Sequence, residues 1–174
     1  MNSEQLQKWA RLAEVVGAVA VVVTLVFLIV ETSENTNAIQ SQTYQALTAE
    51  LNRSRSQFAE PEEAEMFIKL ISGDIDDFSE VEYFRIVNLY GAIWGTYESA
   101  YYALQRGVLG QKEWERFEQA LCRNLPATAP VWEIARFGVA GGSMKDSLTE
   151  EFADYVELQC DWPAIRDQIN FVSN

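Results

Sequence analysis

Carboxylates in apolar company are the residues of this chain best placed to do chemistry. Glu98 stands between Tyr97 and Ser99 in a long aromatic-rich segment, and Glu14 stands at the edge of the uncharged run from Val15 to Val30. A buried carboxylate must find a partner or keep its proton. Glu98 therefore reads as one half of a structural ion pair with Arg123 or Arg136, as an exposed side chain, or as a functional group for an ion or a proton. Glu14 follows Arg11 by three residues, within pairing distance on a helix. It reads as a side chain reaching the headgroups, as a helix–helix contact, or as part of an ion path. Around Glu98, the residues Tyr83, Val87, Tyr90, Trp94, Tyr97, Tyr101 and Leu104 recur in alternating steps of four and three. That spacing marks the core face of a central helix. Its alternative is a pocket for a flat or long apolar ligand, lined by Trp94, Tyr97, Glu98 and Tyr101.

Other chemistries fall away. The chain has no histidine. That excludes Ser-His-Asp and Cys-His catalysis, His-containing zinc sites and His-ligated haem. A net charge of −13 leaves no basic footprint for phosphates, so nucleic acid is excluded as a partner. Asp74, Asp76 and Asp77 have the look of a calcium loop, but Phe78 takes the next odd position and no glutamate stands at the twelfth. They read as an acidic cap before a helix. No glycine-rich phosphate loop, C-x-x-C or G-x-S-x-G is present. The expectation is a non-enzyme with no cofactor and no metal.

The elements that position these residues begin with the apolar run. Val15 to Val30 is sixteen residues without a charge, about 24 Å as a helix. Extending it back to Leu12 gives about 28 Å, close to the roughly 30 Å of a hydrocarbon core. Trp9, beside Lys8 and Arg11, sits where an interfacial anchor belongs. A buried soluble helix is one alternative. A cleaved signal peptide is another, although Thr36-Asn37-Ala38 is a poor cleavage match. The favoured reading is a retained single-pass anchor in contact with lipid. Ala13 and Gly17 form a small-xxx-small pair beside Glu14. Together with Trp9 and Arg11 they form the candidate membrane and partner contact. Lys8 and Arg11 precede the run, and no Lys or Arg occurs from Glu31 to Asn52. The positive-inside rule then leans the C-terminal domain toward the periplasm. Cys122 and Cys160 fit either one disulfide or two reduced thiols.

No Gly or Pro interrupts the chain from Ala18 to Ala59, so the anchor helix is expected to continue. Tyr44, Leu47, Leu51, Ser54 and Phe58 step by three and four along it, a seam for its own domain or for self-association. Tyr44, Leu47 and Leu51 join the candidate contact residues on that account. Pro61 with Glu62 and Glu63 starts a helix that stops at Gly73. Ser79 caps the longest soluble helix, from about Glu80 to Arg106, ended by Gly107. Its row Gly91, Gly95, Ser99, Ala103 predicts close approach by another helix. A helix from Lys112 to Asn124 follows, then a loop around Pro126 and Pro130, and a short helix from Val131 to Phe137. A turn at Gly141-Gly142-Ser143 leads to a helix from Thr149 through Gln159, and Trp162-Pro163 opens a last one to about Val172. The expected fold is all-α: a tail and transmembrane anchor over 1–31, a helical neck over 32–60, and a compact bundle of about five to six helices over 61–174.

The order of these features carries a resemblance. It comprises Ala13 to Val23 entering the apolar run, Glu34 to Ile39, Thr43-Tyr44-Gln45, Tyr97 to Tyr102, Gly107-Val108-Leu109, Trp114-Glu115, and Phe152 to Val156. Over about Leu12 to Leu158, the chain resembles an uncharacterised family of bacterial single-pass membrane proteins with a helical domain of unknown function. The family is frequent in marine proteobacteria. The resemblance implies a bacterial inner-membrane location and no catalytic residues. Some members are distantly similar to membrane-anchored proteins proposed in phage abortive infection. In the family pattern basic residues follow the span; here Glu31, Thr32, Ser33 and Glu34 stand there instead. The functional expectation is an accessory or scaffold subunit of an inner-membrane assembly, associating with other membrane proteins or with itself. The alternative is a membrane-bound sensor or effector in stress or phage defence with a small apolar ligand site.

Overall fold

The computed structural model describes residues 3–72, 77–132 and 144–165. All regular structure among them is helical: α1 (Ser3–Ser56), α2 (Pro61–Ile71), α3 (Glu80–Gln105), α4 (Gln111–Trp132) and α5 (Glu150–Gln159), with short 3₁₀ turns at Gln57–Ala59 and Lys145–Ser147. The chain divides into two units, Met1–Ser41 and Gln42–Asn174.

The first unit is the leading part of α1. Every side chain from Arg11 to Ile39 is exposed, including Phe27 at 71% and Ile29 at 69%. One helix, near the N-terminus, is thus long and apolar enough to cross a membrane. Thr24, Thr32 and Thr36 donate their hydroxyls to the carbonyls of Ala20, Leu28 and Thr32. Their polarity is turned back into the helix, which lowers the cost of an apolar surrounding.

The second unit is a bundle around α3. Tyr83, Ile86, Ile93, Trp94, Tyr97 and Ala100 are buried to 3% exposure or less, so the aromatic ladder is the core face. Both ends of α3 were readable locally. Ser79 and Glu82 form a capping box, the Ser79 side chain accepting from the Glu82 N–H and the Glu82 carboxylate accepting from the Ser79 N–H. At the other end Val108 N–H donates to Ala103 O and Gly107 N–H to Leu104 O, a Schellman motif with Gly107 at φ +73°.

Three places in the bundle bear on the sequence expectation. The seam residues Leu51 and Ser54 are buried, and Tyr44, Leu47 and Phe58 are packed against the same core. Tyr44 meets Phe117 edge-on at 5.8 Å, and Phe58 meets Tyr90 at 5.2 Å. Of the two readings open to the seam, the structure takes packing inside its own domain, with Leu51 buried and Tyr44 and Leu47 half-buried. The bundle accordingly begins at Gln42 and not at residue 61.

Second, α4 runs unbroken through Pro126 and Pro130. A proline in a helix interior costs about 3 kcal/mol. Leu121, Leu125, Thr128, Ala129 and Trp132 keep one helical face buried across both prolines, and burying each large apolar side chain returns about 1.5–3 kcal/mol. Packing outweighs propensity there. The remainder of the expected helix beyond Trp132, and the turn at residues 141–143, lie outside the described residues. So do Asp74, Asp76 and most of the last helix, which is seen only over 162–165.

Third, the small-residue row is a close contact only at its last member, Ala103, which is 7% exposed. A Cβ built on Gly91 or Gly95 meets no neighbouring heavy atom within 4 Å, and Ser99 is exposed. At Gly91, Gly95 and Ser99 the row turns away from the core face of α3. Gly95→Ala should therefore stabilise the fold by about 0.5–1 kcal/mol through helix propensity. Gly107→Ala should destabilise it by about 1–2 kcal/mol, because a Cβ is disfavoured at positive φ. Urea unfolding of the detergent-solubilised chain measures both. A loss of stability in Gly95→Ala would mean that this face is covered after all.

Candidate functional site

The anchor residues are all on the surface of the first unit. Trp9 is 66% exposed, and Arg11, Ala13, Glu14 and Gly17 are exposed with it. A Cβ on Gly17 meets nothing within 4 Å. The geometry leaves this face open to lipid or to a second helix.

The ladder residues form a filled core. Trp94 lies against Trp132 at 4.7 Å between ring centroids and against Tyr97 at 5.8 Å. The Tyr97 hydroxyl accepts from Arg55 Nη2 and from Asn124 Nδ2, both at 2.9 Å. One buried phenol thus ties the end of α1, the middle of α3 and the middle of α4. The Trp94 Nε1–H has no hydrogen-bond partner. Tyr101 packs against Phe152, Tyr155 and Trp114, and burial, then the nearby Glu151, push its hydroxyl pKa up. The side chains expected to line a pocket are packed against one another and against α4 and α5.

Glu98 has a different role from the ion pair expected for it. Its carboxylate accepts from the Thr149 backbone N–H at 2.7 Å and from the Thr149 hydroxyl at 2.8 Å. Thr149 is the N-cap of α5, so Glu98 plays the acid of a capping box from another helix. Arg123 is exposed, and Arg136 lies outside the described residues.

Three further carboxylates, not singled out by sequence, continue this seam along α5. Glu151 accepts from Tyr101, Tyr102 and Gln105 at 3.3, 3.4 and 3.1 Å. Glu118 on α4 accepts from the Tyr155 hydroxyl. Burial and then that contact push the Tyr155 pKa up to about 12. Glu157 accepts from Trp132 Nε1 at 3.1 Å and from Lys145 Nζ at 2.6 Å. The only hint in the sequence was the acidic character of α5.

Cys122 on α4 and Cys160 at the C-cap of α5 form a disulfide, with Cα atoms 5.0 Å apart and a sequence separation of 38. Of the two alternatives open to the cysteines, the structure takes the bridged one. Away from α5, Lys69 pairs with Glu82 at 2.7 Å, and the Lys69 contact, then the Ser79 cap, lower the Glu82 pKa to about 2. The folded pKa lies below the unfolded value of about 4.3. The contribution of Glu82 is therefore complete above that value and disappears as pH falls toward about 2. The difference in melting temperature between the wild type and Glu82→Ala should shrink across that window. A difference that stays constant from pH 7 to pH 2 would show that the carboxylate charge contributes nothing.

Comparison with family models, with curated proteins and with solved structures found no match to this chain.

Proposed function

We propose that this is a single-pass inner-membrane protein whose helical domain acts by binding a protein partner, as a non-enzymatic accessory or scaffold subunit. The carrying observation is the division of labour along α1. Its apolar stretch is exposed on every side, whereas beyond Gln42 one face of the helix, Tyr44, Leu47, Leu51 and Ser54, packs into the bundle. Water does not tolerate so long an apolar surface on one helix; a bilayer does. With the seam occupied internally, the remaining contact surface in the anchor is the face of Ala13, Glu14 and Gly17, bordered by Trp9 and Arg11.

The domain is assigned to the periplasmic side. Lys8 and Arg11 precede the span and no basic residue follows it until Arg53. The Cys122–Cys160 bond suits an oxidising compartment. These are independent supports, one from loop charge and one from sulfur chemistry.

The test is gentle detergent extraction of the native membrane followed by affinity isolation. A stoichiometric second membrane protein is the expected result. Isolation of the chain alone, as a homo-oligomer carrying lipid or a small molecule, would overturn the accessory-subunit reading.

A further inference from the structure

We propose that the Cys122–Cys160 disulfide is a reducible latch on α5: a dithiol that opens it releases α5 and Trp162 from the bundle while α1 to α3 stay packed.

The argument starts from what holds α5 in place. Its buried apolar residues are Phe152, Ala153 and Val156, with the half-buried Tyr155 packed on Tyr101 and Trp114. Its polar ties are the carboxylate hydrogen bonds at Thr149, Glu151, Tyr155 and Glu157. Surface and half-buried bonds of this kind are weak singly, because water competes for every donor. Immediately after Cys160 the chain turns through Asp161 at φ +53°, a conformation that non-glycine residues adopt at some cost. The turn places Trp162 in the core, 4% exposed and 6.2 Å from Trp132. The disulfide is the single covalent constraint on this corner. It closes a ring containing the end of α4, the Lys145–Ser147 turn and all of α5.

The part of the bundle ahead of that ring has ties of its own. The capping box of α3, its Schellman end, the Lys69–Glu82 and Arg85–Glu62 pairs, and the buried side chains Leu51, Met66, Leu70, Ile86 and Ile93 all belong to residues before 122. The end of α4 inside the ring stays tied to α3 through Trp132 on Trp94 and Asn124 on Tyr97, so α5 is the segment that the bond reinforces.

Cys122 is half-buried and Cys160 is 9% exposed, so Cys122, the more exposed residue of the pair, is taken as the point of attack. A thiolate of the dithiol bonds to Cys122 Sγ, the Sγ–Sγ bond breaks, and Cys160 leaves as a thiolate that takes up a proton. The second thiolate of the reductant then attacks its own sulfur in the mixed disulfide and releases Cys122, which is protonated in turn. Two electrons and two protons pass to the protein, and the dithiol becomes a disulfide. Undocking of α5 uncovers the side chains it covers, Tyr101 and Trp114, and withdraws Trp162 from Trp132. The result is an aromatic surface present only in the reduced state.

The experiment is hydrogen exchange by mass spectrometry on the full chain in detergent micelles, oxidised, reduced with dithiothreitol, and reoxidised. Reduction should speed exchange in peptides covering 150–160 by about 100-fold or more, with under about 3-fold change across 80–105. Reoxidation should restore protection. Equal acceleration in both regions would make the bond a global staple and overturn the latch. No change at 150–160 would make the bond redundant and overturn it equally. The Cys122→Ser/Cys160→Ser variant should match the reduced pattern and ignore the reductant. If that variant does not fold, reduction of the prefolded wild type still decides the matter.

Discussion

Replacing Val22 and Val23 with arginine will move the chain out of the membrane fraction. In the wild type, carbonate washing should leave the protein in the membrane pellet, and only detergent should release it. Both residues lie near the middle of the apolar run, and each arginine at that depth costs about 2.5–3.5 kcal/mol of insertion free energy. Two such charges on neighbouring faces offset much of what the valines and leucines of the run contribute. The double variant should appear in the soluble fraction or be degraded. Because it would no longer be exported, its Cys122 and Cys160 should be recovered as free thiols. Retention of Val22→Arg/Val23→Arg in the carbonate-washed pellet would refute the single-pass reading. Soluble protein with the disulfide intact would leave the span in place but move the oxidising compartment elsewhere.

Trp94→Ala should cost the bundle about 3–5 kcal/mol, the range for truncating a fully buried tryptophan. That is a large part of the roughly 5–15 kcal/mol that holds a domain folded. Trp94 is 0% exposed and lies tilted against Trp132, so truncation opens a cavity inside the core. Trp94→Phe should cost far less, under about 2 kcal/mol, because it also deletes an indole N–H that has no partner. An unpaired buried donor carries a penalty of about 1–3 kcal/mol, which the phenylalanine escapes. Thermal unfolding of both variants reads the difference. Equal destabilisation by Ala and Phe would mean that the Trp94 N–H is bonded in solution, to a water or a ligand, and would revive a small-molecule site at this position.

Features governed by neighbouring residues were legible in the sequence. Ser79 with Glu82, Pro61, Gly107 and Thr149 each act within one turn of a helix end, and each appears where local chemistry put it. The aromatic ladder was equally legible, since its spacing alone defines a buried face. Direction and partnership were not. The seam from Tyr44 to Phe58 has the same spacing whether it meets its own bundle or a second chain. The small row at Gly91 and Gly95 specifies size, not the side of α3 on which the neighbours lie. Glu98 bonds a residue 51 positions away, and only the folded chain brings Thr149 to it. At Pro126 and Pro130 a strong local signal was overruled, because Leu121, Leu125 and Trp132 gain more from a continuous buried stripe than the prolines lose. The anchor residues Ala13, Glu14 and Gly17 lie on the exposed surface of the first unit.

The spacing of the two cysteines also sets a timetable. Cys160 follows Cys122 by 38 residues, an interval of about 2–8 s at ordinary elongation rates. Helical bundles rich in local contacts fold in microseconds to milliseconds. The helices up to Cys122 therefore have ample time to assemble while its thiol waits without a mate. By the time Cys160 arrives, the surface that receives α5 already exists. Sulfur oxidation in this molecule comes last and fastens α5 onto a surface that is already formed. Oxidase encounters during that wait would meet a solitary thiol, and a mixed disulfide at Cys122 is the intermediate to trap on the nascent protein.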